Sequence, residues 1–352
     1  MIETLLRQRN PSASIPGDQY LAVGMNVYPY IAIYKKNGDT FTRLPNPATL
    51  PAGITYGVAW NGNTHLACSH ANYPYVTVYK RSGDTFTKLA DFTTNEGGLQ
   101  AGRIAFNSSL GNGAAPASKM AYIFSGGPGF KTISVSGDTF SVDANSATTL
   151  AATPSLNTAI AYNVNSGSGN YLAIAKQGIF IYSTANPPVR ITQSMTTSIT
   201  VRCVATNKLD SLLVYGDGGL ARLAGTSAGP TFSGYSPSSL SLGGTSRAMA
   251  WDWYDASYLA VDFGASPYLR VYKWNQAATF TVCTLSSNPP GSINSVAWNY
   301  GLNMYLACCG GTSPFVYIYK RDAPSGTSFT RLSDPAVLPE GQGNSVAFSE
   351  PI

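Results

Sequence analysis

The chain has 352 residues, of which 44% are hydrophobic and only 11% are charged. Globular domains usually carry about 25% charged residues, and this chain also contains 35 glycines and 22 prolines. The composition excludes a charged coiled coil and an acidic disordered chain, and no apolar run is long enough for a transmembrane helix. The net charge of +5 comes from scattered Lys and Arg residues, so we predict neither a nucleic-acid-binding patch nor membrane insertion.

The five cysteines and two histidines form no CxxC pair and cannot complete a common zinc-binding set. We therefore predict no metal site and no cofactor, and we interpret Cys68 and Cys308 as small core residues. Residues 1–14 lack the apolar segment of a secretory signal, which predicts a protein made in the cytoplasm.

In chain order, residues 1–19 carry no repeat marker and are predicted to form a tail or docking arm. From Tyr20 onwards, four strand-like patterns recur about every 47 residues. They are an apolar-Ala-aromatic triplet, a Tyr-Leu-Ala-Val pattern, a Tyr-Val-Thr-Val-Tyr-Lys pattern and a Thr-Phe-Thr-Lys-Leu pattern, separated by turn residues. The two best copies, residues 29–44 and 74–89, match almost residue for residue.

The triplet occurs at Val58-Ala59-Trp60, Ile104-Ala105-Phe106, Ile160-Ala161-Tyr162, Met249-Ala250-Trp251, Val296-Ala297-Trp298 and Val346-Ala347-Phe348, with a ringless version at Cys203-Val204-Ala205. A repeat of about 40–50 residues with four strands is typical of a β-propeller blade. The repeat therefore predicts an all-β fold, a single seven-bladed β-propeller of four-stranded blades over residues 20–352.

The phase of the repeat predicts how the ring closes. The chain begins in a second strand, at Tyr20, and ends in a first strand, at residues 344–349. We expect the C-terminal strand to complete the N-terminal blade, because closure leaves only short, protected edges.

Three arginines are the first candidate ligand-binding residues. Arg103 and Arg202 directly precede first-strand triplets, and Arg247 lies one residue further back in its unit. First strands line the axis of a propeller, so the three guanidiniums could meet near one mouth and bind a carboxylate, a phosphate or a sugar. The alternative is that they pair with loop carboxylates such as Asp91 or Glu96.

The loops between second and third strands share that mouth and supply three further candidates. They contain Tyr28, His70 and Tyr73 within a Tyr/Asn/Ser/Gly mixture that suits recognition surfaces and also suits plain loops. His65 replaces a tyrosine of the repeat, which indicates a structural role. Asp39, Asp84 and Asp138 sit at Gly-Asp-Thr-Phe turns, which we interpret as turn formers rather than as sialidase-like Asp boxes.

Residues 74–89, with Val58-Ala59-Trp60 and Leu66-Ala67 before them, resemble the WD40-like repeats of bacteriophage and prophage proteins. The resemblance extends over residues 20–349 and is weakest at about 171–240. The Gly-His pair of eukaryotic WD40 repeats is missing, and Trp251-Asp252 ends a first strand, so no peptide-binding residues are transferred.

The resemblance implies a virion-associated protein of a tailed phage, made in the host cytoplasm. We expect a non-enzymatic structural or adhesion component of the tail, fibre or baseplate, whose partners are other virion proteins or a host-surface protein or glycan. The alternatives are a capsid decoration protein and a lectin-like module that binds host glycan through the arginines. A sialidase-type glycosidase is a further, less supported reading.

Overall fold

The computed structural model describes residues 18–92, 100–107, 118–125, 129–143, 148–149, 159–165, 169–175, 179–183, 201–206, 212–217, 220–226, 232–241, 246–252, 257–275, 279–301 and 304–350. These residues contain strands and turns and no helix. Within these ranges there is accordingly no helix that could cross a membrane.

The strands form seven separate sheets. They are numbered 1 to 7 along the chain, starting with the sheet that contains the first strand, β1. Sheet 1 contains β29 (Gly343–Phe348), β1 (Gln19–Met25), β2 (Ile31–Asn37) and β3 (Thr40–Arg43), and sheet 2 contains β4 (Thr55–Asn61), β5 (His65–His70), β6 (Val76–Ser82) and β7 (Thr85–Lys88). Sheet 3 contains β8 (Ala101–Phe106), β9 (Lys119–Phe124), β10 (Gly129–Ser136) and β11 (Thr139–Val142), with the short β12 (Thr148–Thr149) also paired to β10. Sheet 4 contains β13 (Ala159–Asn165), β14 (Gly169–Ala175) and β15 (Ile179–Ser183).

Sheet 5 contains β16 (Val201–Thr206), β17 (Leu212–Asp217), β18 (Leu220–Thr226) and β19 (Phe232–Ser241). Sheet 6 contains β20 (Met249–Trp251), β21 (Tyr258–Asp262), β22 (Leu269–Trp274) and β23 (Phe280–Val282). Sheet 7 contains β25 (Ile293–Trp298), β26 (Tyr305–Gly310), β27 (Val316–Arg321) and β28 (Ser328–Arg331), and β24 (Thr284–Leu285) runs parallel to β28.

Six of these sheets contain the four consecutive antiparallel strands of a propeller blade, whereas the repeat predicts seven such blades. Sheet 4 has three strands, and the residues that follow β15, 184–200, lie outside the described ranges. The four positions in a sheet are called a, b, c and d, with a the triplet strand. The fold is thus an all-β propeller with four-stranded antiparallel blades.

The ends of the chain meet in sheet 1. Strand β29 pairs antiparallel with β1, with Val346 opposite Val23 and Phe348 opposite Leu21. Strand β29 also packs against β25 of sheet 7 and β4 of sheet 2. Strand β1 begins at Gln19, one residue before the predicted boundary, and residues 1–17 of the predicted tail lie outside the described ranges.

The antiparallel order gives the molecule two distinct faces. Loops between strands b and c lie beside the start of strand a, as Thr55 opposite His70 shows, and this side is called the loop face. The turns between a and b and between c and d lie at the other end, called the turn face. Strand b is the most protected position, and every residue of β1, β5 and β26 is buried.

The repeat markers meet at the junctions between sheets. At four junctions, the d-strand Phe of one sheet contacts both the aromatic residue of its own triplet and the first aromatic or His residue of strand b in the preceding sheet. The ring centroids are 5.6 to 6.4 Å apart. The groups are Tyr20/Trp60/Phe86, His65/Phe106/Phe140, Tyr258/Trp298/Phe329 and Tyr305/Phe348/Phe41. The aromatic positions of the repeat therefore hold neighbouring sheets together.

The turn aspartates add polar contacts at three of the same junctions. Asp84 accepts hydrogen bonds from the Tyr20 hydroxyl (2.7 Å) and from Lys35 Nζ (3.0 Å) in sheet 1. Asp39 makes the same pair of contacts with Tyr305 and Lys320, and Asp138 with His65 and Lys80. These residues are turn formers, as predicted, and they also tie each turn to the preceding sheet.

Buried cysteines complete the core. All five are free thiols and are buried. Cys308 packs with Val271 and Leu306, whereas its neighbour Cys309 packs in a different cluster with Val316. Cys68 and Cys308 are the small core residues that the repeat predicts.

The junction contacts predict how stability depends on pH. Burial raises the pKa of Tyr20 and of Tyr34 to about 12, whereas an unfolded tyrosine titrates near pH 10. Their stabilisation is therefore complete below about pH 10 and is lost as the pH rises towards 12. Urea unfolding at successive pH values should show this alkaline loss. Tyr20→Phe should weaken it, and the exposed-site variant Tyr28→Phe serves as control.

The carboxyl groups of the turn aspartates are expected to lower stability at acidic pH, whereas the tyrosines lower it at alkaline pH. Hydrogen bonds lower the pKa of the three aspartates, with the largest contributions from Lys320 for Asp39, Tyr20 for Asp84 and Lys80 for Asp138. Their stabilisation is present above the unfolded pKa near 3.9 and is lost as the pH falls through the lower folded values. The buried His70, whose folded pKa of about 4 lies below the unfolded value near 6.5, also lowers stability as the pH falls below about 6.5. The free energy of unfolding is thus expected to have a plateau between about pH 7 and 9. A profile that stays flat from pH 3 to pH 12 would contradict these contacts.

Candidate functional site

A central cavity of about 260 Å³ is lined by residues of the triplets of all seven a strands. Side chains alternate along a strand, so the alanine methyl groups face the cavity and remain partly exposed, whereas the aromatic residues beside them turn towards the neighbouring sheet and are buried. Tyr300 and Glu350 line the cavity as well, just beyond the ends of β25 and β29 on the turn face. The other lining residues are alanines, aliphatic residues and aromatic residues of the triplets.

Arg103 lies towards the loop face, two residues before the triplet alanine of β8. Its guanidinium donates hydrogen bonds to the carbonyls of Tyr56 (3.3 Å), Asn344 (3.0 Å) and Asn294 (3.0 Å). These carbonyls belong to sheets 2, 1 and 7, so one side chain from sheet 3 contacts three other sheets. A register shift between Ala101 and Ile104 interrupts the pairing of β8 at this point, and such bulges redirect side chains.

One of the two predicted carboxylate partners, Asp91, does not pair with Arg103. Asp91 forms an ion pair with Lys88 instead (2.7 Å), and Glu96 lies outside the described residues. Burial lowers the pKa of Arg103, although part of the side chain remains accessible to solvent. The acceptors of this arginine are backbone carbonyls, which no charge pattern in the sequence could indicate.

The other two arginines are placed differently. The Arg247 side chain is exposed, and its backbone N–H donates to Asp262. Arg202 belongs to β16, beside the register shift between Val201 and Val204, and its side chain lies outside the described residues. All three residues lie towards the loop-face end of a strand at position a. Within the described part of the chain, only the Arg103 guanidinium is seen to contact several sheets there.

Asp262 is a buried carboxylate that the sequence analysis missed. It accepts hydrogen bonds from the Ser246 hydroxyl (2.7 Å) and from the backbone N–H groups of Arg247 (2.6 Å) and Ala248 (2.8 Å). Burial raises its pKa. In the aligned b strands this position holds Gly24, Ser69 and Cys309, and the change to a carboxylate is the signal that could have identified it.

The loop face also presents two exposed tyrosines. Tyr28 is 69% exposed and Tyr73 is 55% exposed, in equivalent loops of sheets 1 and 2. Each packs edge-on against a second tyrosine two residues later, Tyr30 at 6.2 Å and Tyr75 at 6.0 Å between ring centroids. These two candidates therefore lie where the repeat predicts, at the surface of the loop face.

His70, in contrast, is not a loop residue that could contact a ligand. It is the last residue of β5 and is completely buried, with Nε2 2.9 Å from the Thr77 hydroxyl. Burial lowers its pKa to about 4. The repeat pattern places His70 in a loop, whereas β5 extends one residue further, into a position held by Met25 and Phe263 in other sheets.

No family model and no curated protein matches this sequence. Solved structures do match. A Lactobacillus plantarum protein superposes with a TM-score of 0.68 at 13% identity, covering 95% of this chain and all of its own. The chain has the β-propeller fold. The propeller is also similar to the Pseudomonas aeruginosa periplasmic gluconolactonase PpgL (TM-score 0.65, 11% identity, 95% and 100% coverage) and to the WD40 propeller Sqt1 of Saccharomyces cerevisiae (0.54, 10%, 84% and 78%).

The comparisons correct one prediction from the sequence. The chain was predicted not to be an enzyme, and this prediction is contradicted because a gluconolactonase has the same propeller fold along its whole length. At 11% identity the likeness shows the fold alone, and function depends on the site that a fold carries. The structural neighbours thus include a WD40 β-propeller protein, Sqt1, which shares the fold.

Proposed function

We propose that the seven sheets form one seven-bladed ring that the C-terminal strand closes. Three observations support this ring. Residues of all seven triplets line one cavity, and strand β29 pairs with β1 while packing between β25 and β4. Between the last and first sheets, Asp39 accepts hydrogen bonds from Tyr305 and Lys320, as its equivalents do at neighbouring junctions.

We further propose that the propeller is an interaction module of a tailed bacteriophage particle, in the tail, fibre or baseplate. On this proposal its loop face binds a host-surface protein or a neighbouring virion protein. The resemblance of residues 74–89 to phage repeats supports the virion location. The exposed pair Tyr28 and Tyr73 is the observation that carries the binding role.

A comparison of equivalent loops shows why these tyrosines are informative. Four b–c loops share one backbone geometry, in which the residue after a cis-proline has positive φ and its N–H donates to a carbonyl three residues earlier. In sheets 6 and 7 the residue before that proline is Ser266 or Ser313, whereas in sheets 1 and 2 it is Tyr28 or Tyr73. The same loop geometry thus occurs with serine at this position, and it does not require an exposed tyrosine.

The loops also hold the two rings in place. Tyr30 N–H donates to the carbonyl of Val27 (2.7 Å), and Tyr75 N–H donates to that of Asn72 (2.7 Å). Tyrosines on such fixed loops offer a large contact area at a low cost in conformational entropy. Two of them on adjacent sheets, with the partly exposed Val27 beside Tyr28, form a surface suited to a protein partner.

The test replaces Tyr28 and Tyr73 by serine, the residue found at the equivalent loop positions of sheets 6 and 7. Binding of the labelled Tyr28→Ser/Tyr73→Ser variant to host cells, and to virions from which this protein is absent, should be at least about tenfold weaker than wild type, since aromatic anchors dominate such interfaces. The melting temperature should stay unchanged. Val282→Ser, which removes a 55% exposed apolar side chain from the outer strand β23, is the matched control and should bind normally.

Undiminished binding by the double variant would contradict the proposed surface. Immunogold labelling of intact virions separates tail, fibre or baseplate from the capsid-decoration alternative. Absence of label from every part of the particle would refute the virion role.

A further inference from the structure

We propose that Arg103 forms a binding site for a small oxyanion where its guanidinium meets sheets 1, 2 and 7, towards the loop face. The ligand class is a carboxylate, sulfate or phosphate group, free or carried on a sugar. This site is separate from the Tyr28/Tyr73 surface and does not depend on the function proposed for it.

The first argument is the charge of Arg103. Among the described residues it forms no ion pair, and its protein acceptors are the three carbonyls of Tyr56, Asn344 and Asn294. A guanidinium has five N–H donors, so Nε–H and one Nη2–H have no acceptor in the described part of the protein. A largely buried charge without a counter-charge is costly, and a bound anion would remove that cost.

The second argument concerns the carboxylate of Asp262. Asp262 is close enough to act electrostatically on Arg103, yet its Oδ1 is already occupied by three donors of its own sheet. Those contacts hold it at the start of strand a in sheet 6, and it forms no ion pair with Arg103. The contacts of this carboxylate therefore use its own sheet and not the Nε and Nη2 groups of Arg103.

The third argument is the exposure of Arg103. The residue is only partly buried, and the exposed Arg247 belongs to the loop-face end of the a strand in sheet 6. Arginine binds oxyanions through two parallel N–H donors, and this chemistry fits all three ligand types.

The experiment measures binding by calorimetry at constant ionic strength, using sodium sulfate, sodium phosphate, sodium glucuronate and uncharged glucose. Wild type should bind one oxyanion per chain with saturation. Arg103→Lys, which keeps the charge and loses the fork, should bind at least tenfold more weakly, and Arg103→Gln should not bind. Arg331→Gln is the control, because Arg331 is paired with Asp334 on the outer strand β28 and should not affect binding.

The ligands distinguish the two sources of the anion. Saturable binding of glucuronate but not of sulfate or phosphate assigns the site to an acidic sugar, and binding of the inorganic anions assigns it to a free oxyanion. Both results support the proposal. Equal binding by wild type and Arg103→Gln, or no saturable binding of any anion by folded wild type, would overturn it and leave Arg103 as a brace between sheets. Unchanged host-cell binding by Arg103→Gln would show that this site and the tyrosine surface act separately.

Discussion

Deletion of residues 344–352 is expected to lower the melting temperature by at least about 10 °C, at about 2 °C per kcal/mol for a chain of this size. The deleted segment contains Val346 and Phe348, each buried, and each contributes about 2–3 kcal/mol through burial. It also supplies the Ala347 carbonyl that accepts the Trp60 indole N–H (3.2 Å) and the ladder to β1. The loss is of the same order as the whole stability of many proteins, about 5–15 kcal/mol.

The deletion exposes the edge of β1 as well as removing contacts. An unpaired strand edge can pair with another chain, so the truncated protein should also aggregate at concentrations where wild type is monodisperse. Calorimetry and light scattering measure the two effects. A truncation after Glu350, which keeps all of β29, is the control and should melt as wild type. A peptide of residues 343–350 added in trans should restore part of the lost stability, and an unchanged melting curve for the long deletion would contradict the closure by β29.

The architecture could be predicted because its signals repeat. A strand pattern that returns about every 47 residues has few physical solutions, and the markers that define it are the residues that pack between sheets. The phase of the repeat also indicated which strand β29 would pair with, since Val346 and Leu21 belong to adjacent positions of the same unit. Sheet 4 is the exception, because no marker identifies a fourth strand between residues 184 and 200.

The partners of the polar residues could not be predicted in the same way. Asp84 is a good turn former in any hairpin, and only the twist of one sheet against the next brings it to Tyr20 and Lys35. Arg103 bonds to carbonyls of Asn294 and Asn344, which lie about 190 and 240 residues away in the chain and are chemically identical to every other carbonyl. His70 was misplaced because a histidine in a polar sequence context looks solvated, and only neighbouring sheets reveal its burial.

Asp262 shows what a comparison between units could add. Its equivalents are small or apolar, so a carboxylate at that position has to be satisfied locally or it would be too costly to bury. The structure satisfies it with Ser246 and two backbone N–H groups. Departures from the repeat, rather than the repeat itself, thus mark the positions with distinct chemistry, as Tyr28 and Tyr73 do on the loop face.

Tyr305 offers the sharpest test of the junction between the last and first sheets. The side chain is 2% exposed, its ring packs against Phe41, and its hydroxyl donates to Asp39. Tyr305→Ala should lower the free energy of unfolding by about 3–5 kcal/mol, as for other large-to-small core substitutions. Tyr305→Phe, which removes only the hydroxyl, should cost about 1 kcal/mol. Tyr73→Ala, at an exposed site, should change it by less than about 0.5 kcal/mol.

A double-mutant cycle tests whether the stability contributed by the Tyr305 hydroxyl comes from its hydrogen bond to Asp39. If Tyr305 acts through Asp39, the variants Tyr305→Phe and Asp39→Ala should not add, because each removes the same hydrogen bond. Tyr305→His is the natural alternative, since His65 occupies the equivalent position and contacts Asp138 (2.9 Å). It should retain more stability than Tyr305→Ala, and urea unfolding monitored by tryptophan fluorescence measures the single variants and the double variant. Full additivity in the cycle, together with a cost for Tyr305→Ala no larger than that of Tyr73→Ala, would mean that the last and first sheets are not joined at this junction.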